Sequence, residues 1–240
     1  MEENNKKAPE KDVKIILLGE SGVGKTSIIL RYFKDEFTEN MQSTFGSTFI
    51  IKKVVKDNIT YKLNIWDTTG QEKYHSVTKL FVQGADIAIL VYGINKIDSF
   101  KKIDYWNKTI KDNCDENIIL SVVGNKTDLI YNDDIDEQVP DEDAEDYAKE
   151  IKASFRLVSA KEDKKGIDSL FNEVLEEYIK SSRNKISDSQ DAGLKIEQKK
   201  SKKKKQEVVV IRINFIIYQI IIILKDKKYT LYIIKCIVFI

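Results

Sequence analysis

A single histidine, His75, occurs in 240 residues, which leaves little material for histidine-based catalysis or a histidine metal centre. Cysteine is nearly as scarce. Cys114 and Cys236 are too few and too far apart for a disulfide framework or a zinc cluster, and a reducing intracellular compartment is the expectation. Two prolines and 10 glycines exclude a collagen-like or low-complexity chain. Residues Met1-Glu2-Glu3-Asn4-Asn5-Lys6-Lys7 hold no apolar run, so no secretory signal is expected there. With these chemistries set aside, any catalysis must rest on carboxylates, amides and backbone groups that bind phosphate.

A hydrophobic content of 42% is enough for a buried core. From residue 12 onward short apolar runs alternate with segments of helical period, the pattern of βαβ units around a mostly parallel sheet. Strands are expected at 13–18, 61–66, 87–92, 118–123 and 155–158, runs rich in apolar and β-branched residues and suited to burial on both faces. Residues 49–55 alternate more and carry Lys52 and Lys53, with Lys56 just beyond, as in an antiparallel edge strand turning near Asp57-Asn58. The fold class is therefore α/β, a six-stranded mostly parallel sheet with one antiparallel edge strand. About five helices accompany it, at 25–34, 76–83, 99–112, 141–152 and 166–182. Asp98-Ser99 and Pro140-Asp141-Glu142 suit helix starts, where side chains and acidic charge satisfy free N–H groups.

Charge divides the chain. The total is +1, from 40 Lys and Arg against 39 Asp and Glu, yet residues 1–180 hold 26 basic and 34 acidic side chains and residues 181–240 hold 14 and 5. Four segments follow: a polar extension at 1–11, a domain at 12–180, a disordered basic linker at 181–207, and an apolar tail at 208–240. The tail has twelve Ile and no Gly, Ala or Pro.

Gly19-Glu20-Ser21-Gly22-Val23-Gly24-Lys25-Thr26 fits G-x-x-x-x-G-K-[ST] and lies between an expected strand and an expected helix, as a phosphate loop requires. Glycines let successive N–H groups converge on phosphate oxygens, and the helix dipole adds positive potential. Lys25 is the candidate for the β and γ phosphates, and the Thr26 hydroxyl, beside Ser27, for Mg²⁺. The motif points to a nucleotide phosphate without specifying the base.

Further motifs resemble the Ras superfamily of small GTPases and, within it, the Rab family, over roughly 170 residues. Asn125-Lys126-Thr127-Asp128 matches the guanine-reading N-K-x-D element. The Asp128 carboxylate can accept from both N–H groups on the guanine edge, a pattern adenine does not offer. Ser159-Ala160-Lys161 matches S-A-K, whose backbone amide would meet guanine O6. Trp66-Asp67-Thr68-Thr69-Gly70-Gln71-Glu72 resembles W-D-T-A-G-Q-E. The resemblance implies that Asp67 holds the Mg²⁺ shell, the Gly70 N–H contacts the γ-phosphate, and Gln71 is catalytic and orients water. Thr69 departs from the usual Ala.

Thr44-Phe45-Gly46-Ser47-Thr48-Phe49 resembles T-I-G-V-D-F. Thr44 then aligns as a sensor of Mg²⁺ and γ-phosphate, with an ordinary loop threonine as the alternative. Phe37 stands where the family packs an aromatic on guanine, with a core plug as its alternative. Residues 73–85 resemble the second switch, where Tyr74 and Phe81 are candidates for an effector-facing surface. His75 reads as an exposed switch residue, and Cys114 as a helix-end or packing cysteine.

The resemblance implies a GTP hydrolase that takes Mg²⁺ with GTP or GDP, and whose switches meet an exchange factor, a GTPase-activating protein and effectors. It implies slow hydrolysis and a switch role in vesicle traffic, on the cytosolic face of an endomembrane. No nucleic acid partner is expected, and a monomer is. The alternative is a GTP- or GDP-dependent binding module with impaired hydrolysis; an ATP-dependent kinase is disfavoured by Asn125 to Asp128. The basic run at 199–205 suits a membrane surface, with a solvated charge run or a nuclear-localisation-like patch as the alternative. Cys236 does not form a C-a-a-X box. Residues 208–240 are open between a tail anchor, an aggregation-prone strand pair and a spurious reading of the coding sequence.

Overall fold

The structure, a computed structural model, describes residues 9–39, 41, 44, 47–70, 80–130 and 138–190. Gln71, Tyr74, His75, residues 76–79, the basic run and the tail lie outside them. The chain divides into residues 1–186 and 187–240; of the second unit only 187–190 are described.

Six strands form one sheet: β1 (Glu10–Leu18), β2 (Ser47–Lys56), β3 (Ile59–Thr68), β4 (Ile87–Gly93), β5 (Ile119–Asn125) and β6 (Ser154–Val158), in the order β2-β3-β1-β4-β5-β6. All neighbours are parallel except β2 and β3, so the expected antiparallel edge is where the lysine-rich strand lies. The β2–β3 turn places Asp57 and Asn58 at φ 50 and 57, the paired left-handed residues that match strand twist in a two-residue hairpin.

Five helices are described: α1 (Lys25–Lys34), α2 (Ile97–Lys101), α3 (Ile103–Asn113), α4 (Asp141–Glu150) and α5 (Lys164–Gln190). Strand alternation sends Val13, Ile15 and Leu17 to one face, where Ile28, Ile29 and Tyr32 of α1 and Leu170, Phe171 and Val174 of α5 complete a buried cluster. Tyr32 stacks on Phe171 with ring centroids 3.9 Å apart. Ile16, Leu18, Ala88 and Leu90 point the other way, and Ile103, Trp106 and Ile110 of α3 are buried outside that cluster. Each fully buried Ile or Leu contributes about 1.5–3 kcal/mol.

Several boundaries differ from expectation. β1 begins at Glu10, because Glu10 and Lys11 pair in register with Thr60 and Tyr61. Ser99 does not cap a helix: α2 starts at Ile97, and the Ser99 hydroxyl accepts from the Gly93 N–H at 3.0 Å and donates to the Lys96 carbonyl at 2.6 Å. α4 starts as expected, with Pro140 at its cap and Asp141, Glu142 and Asp143 in its first turn. α5 continues to Gln190, past the boundary expected at 181. Extension of a nucleated helix costs little per residue, and 181–190 contains no Gly or Pro. Arg183 also meets Asp57 of the hairpin at 2.5 Å.

Phe81 is 7% exposed and lies against Trp66, centroids 5.5 Å apart, so it is a packing residue and not open effector surface; the adjacent Leu80 is 58% exposed instead. Cys114 ends α3, where its thiol donates to the Val82 carbonyl at 3.2 Å and burial pushes its pKa up to about 11. That environment suits packing, not reactivity.

Candidate functional site

Successive strands depart from β1 in opposite directions, to β3 and β2 on one side and to β4, β5 and β6 on the other. A ligand crevice opens at such a reversal, outside the carboxyl ends of the strands. A cleft of about 350 Å³ lies there. Its walls come from the loops after β1, β3, β5 and β6 and from the segment between α1 and β2.

The loop after β1 supplies the phosphate end. Gly24, at φ 96, caps α1 with no side-chain bond, and no acidic residue stands in the first turn, so the free N–H groups and positive helix end face the cleft. A Cβ on Gly24 would fall 2.2 Å from Asn125 Nδ2. A Cβ on Gly70 would fall 2.3 Å from the Glu20 carbonyl carbon and the Ser21 nitrogen, so the loop after β3 approaches the phosphate loop backbone to backbone. Ser21, Gly22, Lys25, Thr26 and Ser27 line the cleft; Gly19, Glu20 and Val23 are buried behind it.

Lys25 donates to the Gly19 and Glu20 carbonyls, both at 2.8 Å. Burial lowers its pKa to about 8, against the opposing pull of Asp67 and Glu20. Thr26 donates to Asp67 Oδ2 at 2.6 Å, and since its one proton is spent there, Thr44, at 2.7 Å, donates to Thr26. Asp67 is 2% exposed, and burial raises its pKa. Its Oδ1 is buried without a hydrogen-bond partner, a costly arrangement. An orphaned carboxylate oxygen beside two converging hydroxyls is an oxygen-only donor set that fits Mg²⁺.

The base end is assembled from distant segments. Asn125 donates to the Val23 carbonyl at 2.9 Å and accepts from the Ala160 N–H at 3.0 Å, tying the loops after β1 and β6. Ser159 donates to Asp128 Oδ1 at 2.5 Å and accepts from the Lys161 and Glu162 N–H groups at 3.1 and 3.0 Å. Lys126 is left-handed at φ 75, and burial lowers its pKa, opposed by Asp128. The Ala160 amide, a candidate for guanine O6, faces Asn125 here. Phe37 lines the cleft and also packs against the core cluster.

Thr38, Glu39, Met41, Thr68 and Leu129 also line the cleft and were not singled out from the sequence. Their adjacency to Phe37, Asp67 and Asp128 was the available signal. Glu39 spans to Lys161 at 2.9 Å and raises its pKa, bridging the segment after α1 and the loop after β6.

A glycine-rich loop between β1 and an uncapped helix, a hydroxyl and carboxylate cluster, and a polar end set by Asn125 and Asp128 define a phosphate-loop nucleotide-binding domain. The Ras family model matches residues 14–180. Ras-related protein Rab-31 of Rattus norvegicus is 42% identical over 63% of this chain and 75% of its own length. GTP-binding protein ypt3 of Schizosaccharomyces pombe is 36% identical over 75% and 82%, and Ras-related protein rab-11.1 of Caenorhabditis elegans 37% over 72% and 79%. The chain belongs to the Ras family, in its Rab branch, and is a small GTPase.

Proposed function

We propose that the cleft binds GTP and GDP with Mg²⁺, that Gln71 supports slow hydrolysis, and that the chain acts as a membrane-associated switch in vesicle trafficking. The observation that carries this reading is the joining of the two ends by Asn125, which contacts Val23 in the phosphate loop and Ala160 in the loop after β6. A nucleotide that satisfies Lys25 at one end thus presents its base to Asp128 at the other. Thr26, Thr44 and Asp67 would hold Mg²⁺, which supplies charge neutralisation at the phosphates. Lys25 exchanges two carbonyl acceptors for phosphate oxygens, and the α1 N–H groups orient the chain of phosphates. Among described residues no helix is long and apolar enough to cross a membrane; the membrane role rests on family membership and on the basic run.

GTP should displace bound GDP while ATP does not; equal competition by ATP would end the guanine reading. Single-turnover hydrolysis with Gln71→Leu should fall about 100-fold, the lower end for a side chain that assists proton transfer at the reacting group. The alternative, a binding module with impaired hydrolysis, is favoured by Thr69, which is 6% exposed where the family carries Ala. An unmeasurable wild-type rate, with or without an activating protein, would select it.

A further inference from the structure

Arg31 belongs to none of the motifs. It is on the last turn of α1, whose first turn carries the phosphate loop lysine. Its guanidinium reaches across 129 and 130 positions of sequence: Nε donates to the Ala160 carbonyl at 2.8 Å and Nη2 to the Lys161 carbonyl at 2.7 Å. Nη1 donates to Asp35 Oδ1 at 2.8 Å, which sets the plane of the fork. Arg31 is only 15% exposed.

A trans peptide points its C=O and its following N–H in opposite directions. With both carbonyls gripped by Arg31, the N–H groups of Lys161 and Glu162 face away from it, and both donate to Ser159 Oγ. A hydroxyl has two acceptor sites and one proton. With its acceptor sites filled, Ser159 directs its proton to Asp128 Oδ1, which fixes the rotation of that carboxylate beside the cleft.

We infer that Arg31 is a positioning residue for base recognition: through two peptide planes and Ser159 it orients Asp128. This rests on the guanine reading of the cleft. A lysine does not reproduce the grip, because an ammonium is a point donor and lacks the planar fork.

The test is release of bound GDP, and of bound IDP, which lacks the 2-amino group, from the full chain with Mg²⁺ present, alongside the melting temperature. Arg31→Ala should speed GDP release roughly 10- to 100-fold, as expected when charge-assisted hydrogen bonds that hold a site are lost. IDP release should change much less, so the preference for GDP over IDP collapses. Arg31→Lys, which keeps the cation and guards against a folding failure, should show most of the same loss. Adding Ser159→Ala to Arg31→Ala should bring little more, since both lie on one path. A lowered melting temperature with an unchanged GDP-to-IDP ratio would overturn the inference, as would full rescue by lysine. A wild-type chain with no preference for guanine over adenine nucleotides would instead overturn the reading beneath it.

Discussion

The two ends of the cleft are built by opposite means. At the proposed phosphate end the lining is mainly one short stretch, Ser21, Gly22 and Gly24 to Ser27, joined by Thr44, Thr68 and Gly70, so local conformation makes most of the site. At the base end four segments converge, from α1 and from the loops after β1, β5 and β6, and side chains hold them: Asn125, Ser159, Asp128 and Arg31. The contrast teaches that phosphate affinity can be encoded in one short stretch, whereas base identity depends on the whole sheet holding distant loops in register. Gly24 is where the two constructions touch.

The largest disturbance should therefore come from Gly24→Ala, which sets a Cβ 2.2 Å from the Asn125 amide at a φ of 96. Overpacking and backbone strain together predict a loss of about 2–4 kcal/mol in urea unfolding, with GDP affinity falling as well. Retained stability with lost affinity would show that the two ends are less coupled than Asn125 implies.

The next effect isolates the phosphate end. In the nucleotide-free chain Lys25 and Lys14 both have pKa values lowered by burial to about 8 from 10.5. Above pH 8 the folded lysines release protons that the unfolded chain still holds, so stability rises with pH. Tyr32 and Tyr178, raised by burial to about 12 from 10.0, reverse the trend above about pH 10, where the unfolded tyrosines ionise first. The Lys25 share of the rise between pH 8 and 10 is on the order of 2–3 kcal/mol. Urea melts across that window should show it, Lys25→Met should remove that share, and bound GDP should suppress it by favouring the charged ammonium.

The smallest effect belongs to the exposed bridge over the base end. Glu39 and Lys161 have side chains 69% and 43% exposed, and such solvated pairs contribute little. Glu39→Ala should quicken GDP release no more than about 5-fold, and salt should reduce the difference. A larger change would move the bridge from the rim into the recognition machinery.

Legibility in the sequence follows the same division. β4 and β5 were readable because apolar runs report two-sided burial, and the edge hairpin because Lys52, Lys53 and Asp57-Asn58 interrupt that pattern. Ser99 misled because a hydroxyl near a helix start suits a cap, while its true acceptor and donor, Lys96 and Gly93, depend on how β4 meets α2. Phe81 misled because exposure of an aromatic is a tertiary property. Arg31 gave no signal, since an arginine on the polar side of a short helix reads as ordinary surface until the loop after β6 is brought against it.

Sequence alone determined the order of strands and helices along the chain and the G-x-x-x-x-G-K-[ST] loop, and a motif resemblance named the residues proposed to read guanine, because these depend on periodicities and motifs within short windows. Only the tertiary structure decided that Asn125 joins the loops after β1 and β6, that one Asp67 oxygen is left without a partner beside Thr26 and Thr44, and that Arg31 grips the Ala160 and Lys161 carbonyls. Those facts concern groups far apart in the chain, and their distances are set by the packing of the sheet against α1 and α5, which no local pattern contains.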